Sequence, residues 1–94
     1  MKIAVRALGH ISRELGTLEL ELDVTCLDVR SLIKLVISNN EKLSTVFEVA
    51  NEAPSVKPGF LVFVNGIDYR ILTMEKATIC REALIDIIPV IHHG

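Results

Sequence analysis

The residues of this chain best placed to do chemistry are its last ones, Pro89-Val90-Ile91-His92-His93-Gly94. An apolar run reaches Ile88, Pro89 interrupts it, and a short tail finishes on glycine. Pro89 has no N–H to donate to a ladder, so a strand arriving there is expected to end or to become an edge. Glycine lacks a Cβ, so its carboxylate can be approached in a cleft where a larger residue would clash. This combination points to chemistry done on the Gly94 carboxylate by another protein.

The other reactive groups point to less. His92 and His93 are adjacent, so their rings tend to face apart. No cysteine or carboxylate sits at ligand spacing near this pair, and no metal site is expected from these two and His10. Glu19, Glu21 and Asp23 alternate with Leu18, Leu20, Leu22 and Val24, which makes them the solvated face of a strand rather than a catalytic pair. Gly9, Gly16, Gly59 and Gly66 lie apart and read as turns, not as a phosphate loop. Cys26 and Cys80 match no metal or redox spacing and read as two core thiols. A disulfide between them is the alternative, favoured in an oxidising compartment or a hyperthermophile.

Composition sets the frame for these residues. The chain has 94 residues, enough for one domain, and half of them are apolar. Aromatic residues are few and Trp is absent, so the core is expected to be aliphatic. A net charge of −2 with scattered Lys and Arg excludes a basic nucleic-acid footprint. No run approaches the roughly 20 apolar residues of a membrane span. Met1-Lys2-Ile3-Ala4-Val5-Arg6 carries an early charge and is not a secretory signal, so the expected location is the cytoplasm.

The elements that position the tail follow from periodicity. Residues 2–8 predict a strand with Ile3, Val5 and Ala7 on one face, and residues 11–15 a helical turn stopped by Gly16. The alternation over 18–24 predicts a second strand, paired with the first as an antiparallel hairpin. Asp28 is the expected cap of a helix whose stripe is Val29, Leu32, Ile33, Val36 and Ile37. Asn39-Asn40 is its expected stop, because Asn tolerates the left-handed conformation. Residues 41–50 read as a short second helix and 51–59 as a surface loop. Residues 60–64 and 67–72 read as strands joined by the Asn65-Gly66 turn, in which both positions tolerate positive φ. Residues 73–83 read as irregular. Leu84–Ile88 reads as a covered central strand, apolar on both parities except at Asp86. The fold class is therefore α+β: a sheet of four or five strands with one main helix across one face. The terminal strands lie side by side, and the tail is free to project.

Three stretches resemble a known family. Pro58-Gly59-Phe60-Leu61-Val62-Phe63-Val64-Asn65-Gly66-Ile67-Asp68-Tyr69-Arg70 is similar to its central hairpin, and Val5-Arg6-Ala7-Leu8-Gly9-His10-Ile11-Ser12-Arg13-Glu14-Leu15 to its opening strand and turn. Ile87-Ile88-Pro89-Val90-Ile91-His92-His93-Gly94 is like its closing strand and tail. The family is that of the ubiquitin-like β-grasp sulfur carriers, and the nearest resemblance is to the ubiquitin-related modifiers. The molybdopterin synthase small subunit and the thiamine-pathway sulfur carrier are more distant relatives. The resemblance implies one β-grasp domain over residues 1–94, with a flexible tail at 89–94. It implies a carrier that is not itself an enzyme and binds no cofactor, the ATP being used by a partner adenylating enzyme of the ubiquitin-activating kind. Gly94 would be thiocarboxylated. Sulfur would pass to an acceptor through a sulfurtransferase, tRNA thiolation being the expected use, or Gly94 would join a lysine of a target protein. Val90, Ile91, His92 and His93 would contact the activating enzyme. Phe60, Val62 and Val64 share one parity and are its expected docking surface, with Leu61 and Phe63 on the other parity.

The resemblance departs at His93, where the family has a glycine. Three readings stay open there: the lineage tolerates the imidazole, a further residue follows, or the carrier activity is lost. The alternatives to a modifier are a β-grasp interaction module that conjugates nothing, and a molybdopterin synthase small subunit.

Overall fold

The computed structural model describes residues 1–50 and 53–90. The elements run β1 (Lys2–Ala7), α1 (Ser12–Leu15), β2 (Thr17–Glu21), β3 (Cys26–Asp28), α2 (Val29–Asn39), β4 (Phe47–Ala50), β5 (Ala53–Val56), β6 (Phe60–Val64), β7 (Ile67–Asp68), α3 (Tyr69–Met74), β8 (Thr78–Cys80) and β9 (Glu82–Pro89). The main sheet has five strands in the order β2-β1-β9-β6-β7. β9 is parallel to β1 and antiparallel to β6, while β1 and β2 form the expected antiparallel hairpin. This is the mixed β-grasp sheet, with α2 across its inner face.

Alternation decides which side chains enter the core. Ile3, Val5 and Ala7 of β1, Ala83, Ile85 and Ile87 of β9, and Val62 and Val64 of β6 all point inward and are buried. They meet Val29, Leu32, Ile33 and Val36, the buried stripe of α2. Asp28 caps that helix as expected: its carboxylate accepts from the Ser31 amide at 3.0 Å and the Ser31 hydroxyl at 2.6 Å. Gly16 ends α1 with φ +66°. Asn65 and Gly66 turn the β6–β7 hairpin with φ of 51° and 81°.

Five readings of the sequence are corrected. The stretch 41–50 is not a helix: a 3-10 turn occupies Glu41–Thr45, and Phe47 then opens β4. Its apolar spacing was ambiguous because Leu43 and Val46 sit on the turn while Phe47 begins the strand. The stretch 51–59 is not all loop, since β5 pairs with β4 in a separate hairpin, Val49 opposite Pro54. Pro54 is tolerated because this two-stranded sheet is all edge. The strand expected over 67–72 stops after Asp68, whose carboxylate accepts from the Arg70 amide at 2.8 Å and starts α3. The irregular stretch 73–83 holds β8, which pairs with β3. Asn40 stops α2 at φ −149°, an extended conformation. Its side chain holds the junction instead, accepting from Lys42 N–H at 3.1 Å and donating to the Leu15 carbonyl at 3.3 Å.

The aromatic residues pin the second hairpin. Phe47 and Tyr69 stack edge to face at 6.2 Å between ring centroids. The Tyr69 hydroxyl donates to the Pro54 carbonyl at 2.8 Å, and burial pushes its pKa up to about 12.

The cysteines are also corrected. They are not core thiols: Cys26 and Cys80 face each other across β3–β8 at exposed positions and are joined in a disulfide. The sequence separation of 54 closes a long loop. Chain entropy sets the upper stabilisation from such a loop at about 4 kcal/mol. Reduction, or the pair Cys26→Ser and Cys80→Ser, is expected to lower unfolding stability by up to that amount and to leave the far-UV spectrum unchanged. Urea titration with and without reductant measures this, and a collapse of secondary structure on reduction would contradict it.

The Asp28 cap predicts a pH effect. The Ser31 hydroxyl, then the Ser31 amide, hold the carboxyl below its ordinary pKa. A pKa lowered by folding contributes stability above the unfolded value, near pH 4, and that contribution is lost as pH falls through the folded value. Asp28→Ala is expected to cost about 1 kcal/mol at pH 7. The gap between variant and wild type should begin to shrink as pH falls past the unfolded value and close only below the folded one, as read by urea melts across that range.

Candidate functional site

The site is the point where β9 leaves the sheet, and it is built from the two strands that grip β9. On the β6 side the ladder runs from Val64 opposite Ile85 to Phe60 opposite Pro89, and Val90 N–H then donates to the Gly59 carbonyl at 2.8 Å. On the β1 side it runs to Ala7 opposite Ile87 and ends with Leu8 N–H donating to the Ile87 carbonyl at 2.9 Å. Backbone groups alternate along a strand, so the N–H that Pro89 lacks would have pointed to the β1 side, where the parallel register continues to the Leu8 carbonyl. The proline withholds that bond. It ends the parallel ladder and lets the antiparallel one continue by one more bond.

Gly9 completes the exit. Its φ is +68°, and a Cβ built there would lie 3.1 Å from Cγ of Pro89. The turn after β1 thus folds onto the proline ring with no room for a side chain. At the opposite end of β9, Asn65 fixes the register. Its backbone N–H donates to the Leu84 carbonyl at 2.8 Å, its side-chain oxygen accepts from Leu84 N–H at 2.8 Å, and its side-chain nitrogen donates to the Glu82 carbonyl at 3.0 Å.

Beside the exit the outer sheet face is apolar. Leu61 lies opposite Ile88, both half-buried, and Phe63 lies opposite Asp86. Asp86 pairs with Arg6 on the neighbouring strand, so the one carboxylate within this surface is neutralised. Leu8 and Val90 are exposed at the rim.

The docking residues assigned from sequence divide. Val62 and Val64 are buried under α2, and Phe60 packs against the same core. The surface belongs instead to the other parity, Leu61 and Phe63, joined by Ile88. The choice was legible in Asp86: a carboxylate alone among apolar neighbours marks the outward parity of β9, which then includes Leu84 and Ile88. Val90 is exposed at the exit, while Ile91, His92, His93 and Gly94 lie outside the described residues. Glu19 and Glu21 stand exposed on the outer face of β2, and Asp23 just beyond it. Among the described residues no group of three His, Cys, Asp or Glu side chains is placed to hold a metal, and no helix is long and apolar enough to cross a membrane.

Two glycines give a controlled test of the exit. Gly9 and Gly16 have nearly equal φ, +68° and +66°, but nothing lies within 4 Å of a Cβ at Gly16. Gly16→Ala therefore reports backbone strain alone, about 1–3 kcal/mol at ψ −157°, where glycine is nearly the only residue found. Gly9→Ala adds the contact with Pro89 and is expected to speed hydrogen exchange at the Val90 amide, which Gly16→Ala leaves unchanged. A Val90 amide that is unchanged in both variants would show that the contact with Pro89 is idle.

Comparison with known proteins agrees with this geometry. The solved structures it resembles include Urm1 from Trypanosoma brucei, at TM-score 0.69 and 19% identity over 99% of this chain and 95% of that one. SAMP1, small archaeal modifier protein 1, from Methanosarcina acetivorans matches at TM-score 0.66 and 18% identity, over 99% and 96%. SAMP1 from Haloferax volcanii matches at 0.68 and 13%, over the full length of both. At these identities the likeness shows the fold. A search of curated proteins by sequence gave no match. The family profile Urm1 (Ubiquitin related modifier) matches residues 8–94, and the chain belongs to that family of ubiquitin-like modifiers and sulfur carriers.

Proposed function

We propose that this chain carries sulfur on its own C-terminus. A partner enzyme would use ATP to adenylate the Gly94 carboxylate, a carboxylate oxygen attacking the α-phosphorus as pyrophosphate leaves. The terminal sulfur of a partner enzyme's persulfide would then attack the acyl carbon as AMP leaves, giving an acyl disulfide, and a second thiol of the partner would cleave its S–S bond, releasing the thiocarboxylate and leaving a disulfide on the partner. Adenylation is needed because a carboxylate is a poor electrophile at neutral pH and has no leaving group. The carrier supplies no acid or base and binds no cofactor. Its part is presentation, as one domain with a tail after Pro89 that reaches into the partner, Val90, Ile91, His92 and His93 lying along the way. The proposed sulfur acceptor is tRNA, served through further enzymes rather than by direct binding, and the same activated glycine could instead join a lysine of a target protein. The proposed location is the cytoplasm, where ATP is available and where the exposed disulfide would meet a reducing medium.

The observation that carries this reading is the exit of β9. The last strand is held on both edges up to Ile87 and on the β6 edge through Pro89, and it opens beside an apolar surface of Leu61, Phe63 and Ile88. A surface of this kind, apolar at its centre with its charge paired, suits a protein partner. His93 in place of glycine favours the second reading, a β-grasp module that docks but is not activated.

Intact mass after incubation with the host's activating enzyme, ATP and a sulfide source separates the two. The expected result is a gain equal to exchanging one oxygen for one sulfur, absent when Gly94 is deleted. Phe63→Asp is expected to lower the activation rate at least roughly tenfold with the fold intact. No mass gain, where a carrier ending in two glycines is converted, would leave the docking module as the function.

A further inference from the structure

The far edge of the sheet, beyond β1, is an open strand. β2 is an edge strand with β1 on one side and, among the described residues, no strand on the other. Its hydrogen-bonding parity is fixed by the exchange between Met1 and Leu22, in which Leu22 N–H donates to the Met1 carbonyl at 2.9 Å and the Met1 nitrogen donates to the Leu22 carbonyl at 2.6 Å. Counting back by twos along the antiparallel register, Leu20 and Leu18 also turn their backbone groups to β1. The backbone N–H and C=O of Glu19 and Glu21 therefore face outward from the sheet edge. The opposite edge offers no such template, because β7 has only two residues and runs directly into α3.

Side chains on β2 divide by face. Glu19 and Glu21 stand exposed on the outer face, followed by Asp23 in the same alternation. Leu18, Leu20 and Leu22 stand on the inner face and are only half-buried against the core. Behind the acids the outer face sinks into an open depression of about 600 Å³ lined by Ala4, Leu84, Glu19, Glu21, Glu82 and Lys2. Lys2 lies between Glu21 and Glu82 in the register and offsets only part of their charge.

We propose that β2 is a docking edge for an extended segment of another protein that alternates basic and apolar residues. Added as a sixth strand, such a segment would give its backbone hydrogen bonds to Glu19 and Glu21. Residues opposite these two point to the outer face, so they must be Lys or Arg, with stems that lie toward the Ala4 depression. Residues between them point to the inner face and must be apolar to cover Leu18, Leu20 and Leu22. The same charges exclude a second copy of this chain, because pairing β2 with β2 in either direction sets acids beside acids. The edge is two strands away from β9, so it can be occupied while the tail is in use.

The test needs no activating enzyme, so its outcome is independent of the carrier reading. An acetylated, amidated peptide of alternating Lys and Val is titrated into the whole protein and followed by amide NMR. Binding should shift and protect the Glu19 and Glu21 amides. N-methylating the peptide residues whose N–H groups face β2 should weaken binding at least roughly tenfold, and N-methylating the alternate set far less. The variant Glu19→Lys with Glu21→Lys should lose the Lys-Val peptide and take up a Glu-Val peptide instead. No binding, equal sensitivity to both N-methylated sets, shifts centred on Leu61 and Phe63, or self-association of the free protein through β2 would each overturn the proposal.

Discussion

Everything in this molecule depends on β9 being paired on both edges. It is the last strand in sequence and the middle strand in space, parallel to the first strand and antiparallel to β6. Its inward residues Ala83, Ile85 and Ile87 complete the core, and its outward residues Leu84, Asp86 and Ile88 lie on the exposed face. A one-residue slip would exchange these two sets, sending a carboxylate inside and two isoleucines outside. Asn65 guards against that slip. Its side chain bonds Glu82 and Leu84 at once, as a short extra rung of the ladder, and it does so because the turn places it at positive φ beside the strand. The residue that makes the hairpin turn thus also sets the register of the strand that emits the tail.

Elements whose own pattern settles them were legible in the sequence. β2 alternates strictly, α2 carries a stripe and a capping aspartate, and Asn65-Gly66 requires positive φ twice. Each signal is local, and the structure agrees with each, except that β2 ends at Glu21 and leaves Val24, expected on its buried face, exposed. The errors fell where local signals conflict or where the answer is set across space. Residues 41–50 change from turn to strand within one apolar stretch, so a single period could not describe them. Tyr69 looks like a strand residue and instead starts α3, because the Asp68 carboxylate caps the next turn and burial of the ring against Phe47 outweighs its β preference. The disulfide stayed only an alternative for a different reason. Cys26 and Cys80 meet only because β8 returns to β3, a pairing with weak propensity on either side.

The docking surface shows how one charge decides a face. Parity divided β6 correctly into Phe60, Val62 and Val64 against Leu61 and Phe63, but both sets are apolar and hydropathy could not rank them. Asp86 could. It sits opposite Phe63 and beside Arg6, so the outward face is the one on which an ion pair can stay hydrated at its margin. A paired carboxylate on that face tolerates an apolar partner better than a lone one, since burying it leaves no uncompensated charge.

The two ends of the outer sheet face are consequently unlike. At the exit end, the charges of Arg6 and Asp86 cancel and apolar side chains dominate. At the other end, Glu19, Glu21 and Glu82 outnumber Lys2, and β2 keeps its backbone groups open to solvent. Acids on an edge strand are usually read as protection against aggregation, and here they serve that purpose, since like copies repel. Protection by charge of one sign is selective, however. A bulge or a proline would close the edge to every partner, and β2 has neither over Thr17–Glu21. A row of acids repels acidic strands and favours basic ones. On the two proposals above, the sheet separates two tasks in space: the centre strand would present the tail beside an apolar face, and the edge strand would select its partner by charge.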